Sequence, residues 1–193
     1  MHYRLLFLFL GALVFTSCHP KQVEADVPGE KVDSSQVFLP VTAFIYTELQ
    51  DIDSLPITPM KVVTINGKTD STWSKKEDLK AFARPFLENT IDSVTLGKYF
   101  KETSFVDETL DAITFSYDPK AAIPDSMPIR RWDVYLNPKT QEFEKAYIEK
   151  EISAGGNRQR LLLTWRAKNS CSITYIDEKT EKVIKEEKMV WKF

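Results

Sequence analysis

The sequence predicts an α+β fold in which two N-terminal helices pack on one face of a curved antiparallel meander of about six strands. In 41–52 and 79–87, apolar side chains recur at the three- and four-residue spacing of helices, whereas from residue 111 onward they recur at every second position. The connections between the alternating segments are short and carry turn residues, as at Asn137-Pro138. Tight connections of this kind favour antiparallel neighbours.

The two helices are predicted from their starts and from their apolar stripes. The first starts near Ser34, or nearer Val41, and the second starts at Ser74, where Ser74 and Glu77 match the capping-box pattern. Pro85 is expected to kink or shorten the second helix, because proline removes a backbone hydrogen bond and clashes with the preceding turn. The stripes comprise Val41, Phe44, Ile45, Glu48, Leu49 and Ile52 in the first helix and Leu79, Phe82, Ala83, Phe86 and Leu87 in the second.

A hairpin is predicted between the helices and six strands after them. Met60–Ile65 alternates, Asn66-Gly67 supplies a turn with positive φ at both positions, and Lys68–Trp73 returns as the partner strand. The six strands are expected at 111–117, 129–136, 142–152, 158–166, 170–176 and 183–192. The face toward the helices is expected to carry Ile113, Phe115, Tyr117, Trp132, Val134, Leu136, Leu161, Leu163 and Trp165. The opposite, solvated face is expected to carry Arg131, Asp133, Glu142, Glu144, Lys150 and Arg166.

The N-terminus has the features of an export signal. Arg4 precedes an apolar run of 11 residues from Leu5 to Phe15. A run of this length is too short for a membrane-spanning helix, which needs about 20 residues, and is typical of a signal-peptide core. The following segment, Phe15-Thr16-Ser17-Cys18, resembles the lipobox of bacterial lipoprotein precursors, with Phe15 where that pattern prefers Leu. The resemblance covers residues 1–18 alone.

The resemblance implies that Cys18 becomes the N-terminus and carries a lipid. In that pathway a diacylglyceryl group is joined to the cysteine sulfur as a thioether before cleavage. Two acyl chains hold a protein firmly on a membrane, whereas one binds reversibly. The alternative is cleavage by the general signal peptidase, which would leave Cys18 as an ordinary thiol able to pair with Cys171 in an oxidising compartment.

Three segments follow from this prediction: a signal peptide (1–17), a lipid anchor with a flexible tether (18–35), and one globular domain (36–193). The tether is expected because residues 19–35 are polar, rich in charge, and without apolar periodicity. His19, rather than Asp, follows the cysteine, and no compact acidic run comes after it. The resemblance therefore implies an outer-membrane anchor with the domain facing the periplasm.

Composition excludes several classes of function. With both histidines, His2 and His19, in the leader and the tether, the predicted domain contains none, which argues against Ser-His-Asp and Cys-His catalysis and histidine zinc sites. The formal net charge is −2, or −3 without residues 1–17, and gives no electrostatic reason to bind nucleic acid. Cys171 alternates with apolar neighbours and is expected to be a small buried side chain. No cofactor and no metal site are expected.

Three residues are candidates for binding. Glu102 and Asp107 belong to an acidic segment rich in Ser and Thr, which is either a binding edge or a capped surface turn at the entry to the sheet. The segment lacks the Asp-x-Asp-x-Asp-Gly spacing of a strong calcium loop. Trp73 borders a turn and is the tryptophan most expected to be exposed, where an aromatic face can stack on a sugar.

The sequence therefore favours a non-enzymatic, lipid-anchored envelope protein. Its partner is expected to be an envelope protein or a small ligand bound in the concavity between helices and sheet. Two alternatives stay open. One is a carboxylate-dependent hydrolase such as a glycoside hydrolase, which needs two acids facing each other in a cleft. The other is a lipocalin-like carrier of apolar ligands, which needs an empty apolar interior.

Overall fold

The computed structural model describes residues 38–91, 96–154 and 156–192, so the expected signal peptide, Cys18 and most of the tether lie outside the described residues. About half of the described residues are in strands and fewer than a fifth in helices. Their elements are, in chain order, α1 (Val41–Ser54), β1 (Met60–Ile65), β2 (Lys68–Trp73), α2 (Lys76–Leu87), β3 (Phe100–Asp107), β4 (Ala112–Pro119), β5 (Ile129–Leu136), β6 (Phe143–Ala154), β7 (Asn157–Arg166), β8 (Ser170–Asp177) and β9 (Lys182–Val190). Neither of these helices has the length and apolarity that crossing a bilayer requires.

All of these strands belong to one antiparallel sheet, whose order is β2-β1-β9-β8-β7-β6-β5-β4-β3. From β3 to β9 each strand pairs with the next one in the chain, which gives a seven-stranded meander. The β1–β2 hairpin extends the sheet beyond β9, with Met60 opposite Val190 and Lys61 opposite Met189. The two edges of the sheet are therefore β2 and β3.

The predicted fold class is wrong, because a nine-stranded antiparallel sheet dominates the described chain in place of six strands beneath two helices. One extra strand is β3, which the sequence led us to expect as an acidic segment between helix and sheet. Among its residues Phe100 alone is buried, and an edge strand with this much solvent contact needs no apolar alternation. The other difference is the hairpin, which joins the sheet through a pairing with β9 that no local sequence pattern encodes.

The hydrophobic core lies between the two helices and one face of the sheet. Its aromatic side chains pack edge to face or stacked, as in the stack of Tyr117 on Trp132 at 4.5 Å between ring centroids. The ring centroid of Trp165 lies 5.4 Å from that of Phe86 in α2 and 5.2 Å from that of Trp191. The helices contribute Val41, Ile45, Leu49, Ile52, Leu79, Ala83 and Phe86 to the buried cluster. Tyrosine and tryptophan rings thus fill the space that separates helices from sheet.

Two local expectations need correction. Helix α2 begins at Lys76 with Lys75 as its N-cap, so the predicted pair of Ser74 and Glu77 does not cap it. Instead, the carboxylate of Asp78 accepts the backbone N–H of Lys75 at 2.9 Å, which is the same chemistry one residue later. Lys150 and Asp133 were expected on the solvated face, yet they are 3% and 6% exposed, and Lys150 shares the helix-facing side of β6 with buried apolar neighbours.

Candidate functional site

A groove of about 580 Å³ lies beside α1, between that helix and the turns that join β5 to β6 and β7 to β8. Its volume falls in the range of about 300–1,000 Å³ that is common for small-ligand sites. Five of its lining residues come from α1 or directly follow it: Phe44, Thr47, Glu48, Asp51 and Leu55. Their spacing of three and four residues places them on one side of the helix, next to the stripe that enters the core.

Two aromatic rings form an apolar wall of the groove. Phe44 of α1 and Phe143 at the start of β6 stack with ring centroids 5.0 Å apart and an interplanar angle of 21°. Both side chains are partly exposed, so their outer surfaces remain accessible to solvent. Leu55 adds further apolar surface to the lining. A ligand with an apolar body would therefore gain free energy by covering these rings, at about 25 cal/mol per Å² removed from water.

Glu48 ties the helix to the sheet beside this wall. It is 9% exposed, and each of its carboxylate oxygens accepts a hydrogen bond. Oε2 accepts the indole N–H of Trp165 at 2.8 Å, and Oε1 accepts the backbone N–H of Lys168 at 2.5 Å. Lys168 has a φ of 56° in the β7–β8 turn. The carboxylate therefore holds a turn residue in the left-handed backbone region, which residues other than glycine seldom adopt.

Burial raises the pKa of Glu48 above the ordinary value, because desolvation of the carboxylate outweighs the hydrogen bonds that stabilise its charge. Behind it lie the buried indole of Trp191 and the thiol of Cys171. Cys171 is buried, as predicted, and burial together with the nearby Glu48 charge raises the pKa of its thiol. A thiol held neutral in this way is a poor nucleophile.

The charged groups around the groove are mostly acidic. Asp51 and Glu142 line it as exposed carboxylates, in addition to Glu48, while Lys168 supplies an exposed amine. Among the lining residues three acids stand against one base, so the lining carries a net negative charge when Glu48 is ionised, and Asp51 and Glu142 still outnumber Lys168 when Glu48 is neutral. The groove thus combines an apolar wall with an acidic rim, which suits a ligand that is apolar in its body and positively charged at one end.

The three residues that the sequence singled out for binding lie away from this groove. Trp73 is the last residue of β2 and is 71% exposed, so its predicted exposure is confirmed. It lines a separate cleft of about 450 Å³ with Met60, Val190 and Trp191. Glu102 is partly buried on β3, at the other edge of the sheet, where it lies opposite Tyr117.

Asp107 ends β3 and caps the turn into β4. Its Oδ1 accepts the backbone N–H of Thr109 at 2.9 Å, the hydroxyl of Thr109 at 2.6 Å and the backbone N–H of Leu110 at 3.1 Å. The hydroxyl of Thr109 is the main cause that lowers the pKa of Asp107. A similar arrangement occurs between β8 and β9, where Oδ1 of Asp177 accepts both the backbone N–H and the hydroxyl of Thr180. This recurrence matches the capped surface turn that the sequence offered as one interpretation.

Sequence reasoning did not single out Glu48 as a site residue, although one signal for it was present. Glu48 stands inside an otherwise apolar helical stripe, and a buried acid in such a stripe requires donors from the surface that it packs against. Those donors, Trp165 and Lys168, lie 117 and 120 residues further along the chain. No spacing in the sequence connects them to the helix.

Comparison with protein-family models, with curated proteins and with solved structures gives no match. Within residues 38–91, 96–154 and 156–192, no group of three or more His, Cys, Asp or Glu side chains is placed to hold a metal ion. The candidate site therefore stands on its own geometry: a stacked aromatic wall, a buried carboxylate bound by the fold, and an acidic rim.

Proposed function

We propose that this chain is a lipid-anchored cell-envelope protein and a non-enzymatic binding module. Its ligand in the α1 groove would be a small molecule with an apolar body and a positively charged amine. The observation that carries the proposal is the combination of the stacked rings of Phe44 and Phe143 with three carboxylates and one amine around them. Apolar burial would supply most of the affinity, and the acidic rim would select the sign of the ligand's charge.

Binding is preferred to carboxylate-dependent hydrolysis because of how Glu48 is held. A glycoside hydrolase needs one acid free to give up a proton and a second acid or base opposite it. Both oxygens of Glu48 accept hydrogen bonds from Trp165 and from the backbone of Lys168. Asp51 lies one turn further along the same helix face, and Glu142 of the β5–β6 turn is the lining carboxylate on the other side of the groove. The preference for binding therefore rests on the hydrogen bonds that occupy both oxygens of Glu48, not on the absence of a facing acid.

A lipocalin-like carrier is less well supported, since it needs empty apolar space enclosed by the sheet. Between the described helices and the sheet that space is filled by large side chains. Trp132, Trp165 and Trp191 are among the fully buried residues there. A ligand would have to displace these rings, whereas the α1 groove lies open beside them.

The groove is testable through a reporter that the fold provides. The indole N–H of Trp165, bonded to Glu48, gives a separate resonance in a ¹H–¹⁵N spectrum and should shift when a ligand enters. We expect phenethylamine to shift it in a saturable manner, and phenylpropionate, with a similar body and a negative charge, to leave it unchanged at equal concentration. Equal shifts from both probes, or a shift from neither, would contradict the proposed ligand class.

Matched variants distinguish binding in the groove from non-specific binding to exposed aromatic side chains. Phe143→Ala removes one of the two stacked rings and should abolish the response to phenethylamine. Tyr46→Ala removes an exposed aromatic ring from α1 outside the groove lining, and this variant should keep the response. If both variants retain the response, the amine binds elsewhere.

The anchoring part of the proposal rests on the sequence Phe15-Thr16-Ser17-Cys18. Mass spectrometry of the mature protein from its membrane fraction should find residue 18 at the N-terminus with a diacylglyceryl thioether. Cys18→Ala should abolish the lipid and release the domain from the membrane fraction. A wild-type protein that is processed elsewhere and carries no lipid would rule out the anchor without affecting the groove.

A further inference from the structure

Among the described residues no strand pairs with the outer side of β3, and this edge of the sheet is partly apolar. Most side chains of β3 are exposed, and Phe105 and Val106 among them are 48% and 65% exposed. Leu110, in the turn that follows, is also exposed. An edge strand presents unpaired backbone N–H and C=O groups, so exposed apolar side chains on it favour pairing with a further strand.

The opposite edge, β2, is protected against such pairing. Its six residues, Lys68–Trp73, are all exposed, and its side chains are polar apart from Trp73. The carboxylate of Asp70 accepts the backbone N–H of Ser71 at 2.8 Å, which occupies a donor on the edge strand itself. Polar side chains and short length are common devices for blunting an edge. Of the two edges, β3 is therefore the one suited to pair with a further strand.

We propose that a second copy of this chain docks on β3 through its own β3. The two strands run antiparallel about a two-fold axis at Ser104, so that one continuous sheet spans both copies. Identical strands can pair in this way because the same edge serves both sides of an isologous interface. A second copy fits this edge because the charges of β3 are complementary to those of an antiparallel β3.

The register follows from backbone parity and charge. In an edge strand, every second residue points its backbone N–H and C=O groups outward. Two residues that hydrogen-bond across the interface must both be of this outward kind. The residue numbers of any opposed pair therefore add to an even value. With the axis at Ser104, Lys101 lies opposite Asp107 of the second copy, and the pair occurs twice by symmetry. An axis at Phe105 would oppose Glu102 to Glu108. Opposite charges across strands stabilise the pairing, and like charges weaken it.

Asp107 has an oxygen available for this contact. All three hydrogen bonds that cap the β3–β4 turn use its Oδ1. Its Oδ2 can therefore accept from Lys101 of the second copy while the turn stays intact. Phe105 would meanwhile lie opposite Thr103, where the neighbouring strand covers part of a ring that is 48% exposed in the single chain.

Cysteine cross-linking tests the register directly. One cysteine at a time is introduced into the full chain, whose own Cys171 is buried, and the protein is oxidised in mild detergent beside the parent chain, which should stay monomeric on non-reducing gels. Opposed Cα atoms lie about 4.5–5.5 Å apart, which a disulfide spans, whereas residues two positions out of register are too distant. Ser104→Cys should give a disulfide-linked dimer on non-reducing gels. Thr103→Cys and Phe105→Cys should stay mainly monomeric, and preferential cross-linking at either would overturn the proposed register.

A charge reversal tests the interface without any cross-link. In density-matched detergent, analytical ultracentrifugation of the full chain should show a reversible monomer–dimer equilibrium. Lys101→Glu places a carboxylate opposite Asp107 twice and should raise the dimer dissociation constant about tenfold. Lys68→Glu makes the same change on β2, at the other edge, and should leave the constant unchanged. A chain that is monomeric at every concentration, or that responds equally to the two substitutions, would refute the second copy as the occupant.

Discussion

Two buried ionisable groups, Glu48 and Lys150, each link a helix to the sheet, the first from the helix side and the second from the sheet side. Glu48 belongs to α1 and reaches the sheet, where Trp165 and the Lys168 backbone donate to it. Lys150 belongs to β6 and reaches α2, where its amine donates to the backbone carbonyl of Pro85 and, at 3.3 Å, to Oδ1 of Asn89. Neither group forms an ion pair with another described residue.

The difference between them lies in what surrounds each charge. Lys150 satisfies a carbonyl in the last turn of α2, where helix carbonyls lack intrahelical donors and the helix dipole favours a cation. Burial nevertheless lowers the pKa of its amine to about 8, and the negative charge of Glu88 offsets only part of this effect. Glu48 borders the groove. Similar burial therefore serves the fold alone at Lys150, whereas at Glu48 it also shapes a site.

The largest expected effect comes from the truncation of Glu48. Glu48→Ala leaves the buried Trp165 indole N–H and the Lys168 N–H without acceptors, and a buried unsatisfied donor costs about 1–3 kcal/mol. We expect the free energy of unfolding to fall by about 4 kcal/mol, measured by urea denaturation. Asp51→Ala, one turn away and exposed, is the control and should change stability by less than about 0.5 kcal/mol. Equal effects from the two substitutions would show that Glu48 does not anchor the turn.

The second largest expected effect is an increase in the free energy of unfolding with pH, caused by the titration of Lys150. Its folded pKa of about 8 lies below the ordinary 10.5, so between these values the unfolded chain holds a proton that the folded chain has lost. Stability must then increase with pH through this window, by about 3 kcal/mol in full. The rise should be visible in the free energy of unfolding measured between pH 8 and 10.

Lys150→Met is the control for this second prediction, because methionine fills similar space without a titratable group. The variant should lose the rise between pH 8 and 10. Tyrosines titrate in both proteins, including Tyr175, whose pKa burial raises to about 12. Their contribution cancels in the difference between the two curves. A difference that stays flat across this range would mean that the Lys150 amine remains charged and solvated in the folded chain.

Local chemistry explains which parts of this fold could be predicted. The strand expected at 129–136 is found at Ile129–Leu136, and the hairpin lies at Met60–Ile65 and Lys68–Trp73 as predicted. Asn66 and Gly67 both adopt positive φ, 51° and 74°, as the turn requires. Alternation and turn residues act over a few positions, so a single sequence suffices to recognise them.

The remaining features depend on neighbours distant in sequence. Strand β3 was not predicted because an edge strand needs no buried face and so shows no apolar alternation. The pairing of β1 with β9 could not be predicted because it joins residues more than a hundred positions apart. Lys150 was placed on the solvated face because lysine is rarely buried without a partner, and its partner at Pro85 belongs to another element. For the same reason the groove at Glu48 could not be derived from the sequence.

The smallest effect should appear at acidic pH and belongs to Glu48. Because burial raises its pKa in the folded chain, the folded protein keeps a proton that the unfolded chain, with its ordinary value of 4.5, has already lost. In the window between these two pKa values stability must rise as pH falls, which is opposite in direction to the effect of Lys150. The measurement is the difference in free energy of unfolding between wild type and Glu48→Gln as a function of pH. A wild type that loses stability relative to Glu48→Gln on acidification would mean that the hydrogen bonds from Trp165 and Lys168 outweigh burial, and that the carboxylate at the groove is held in its charged form.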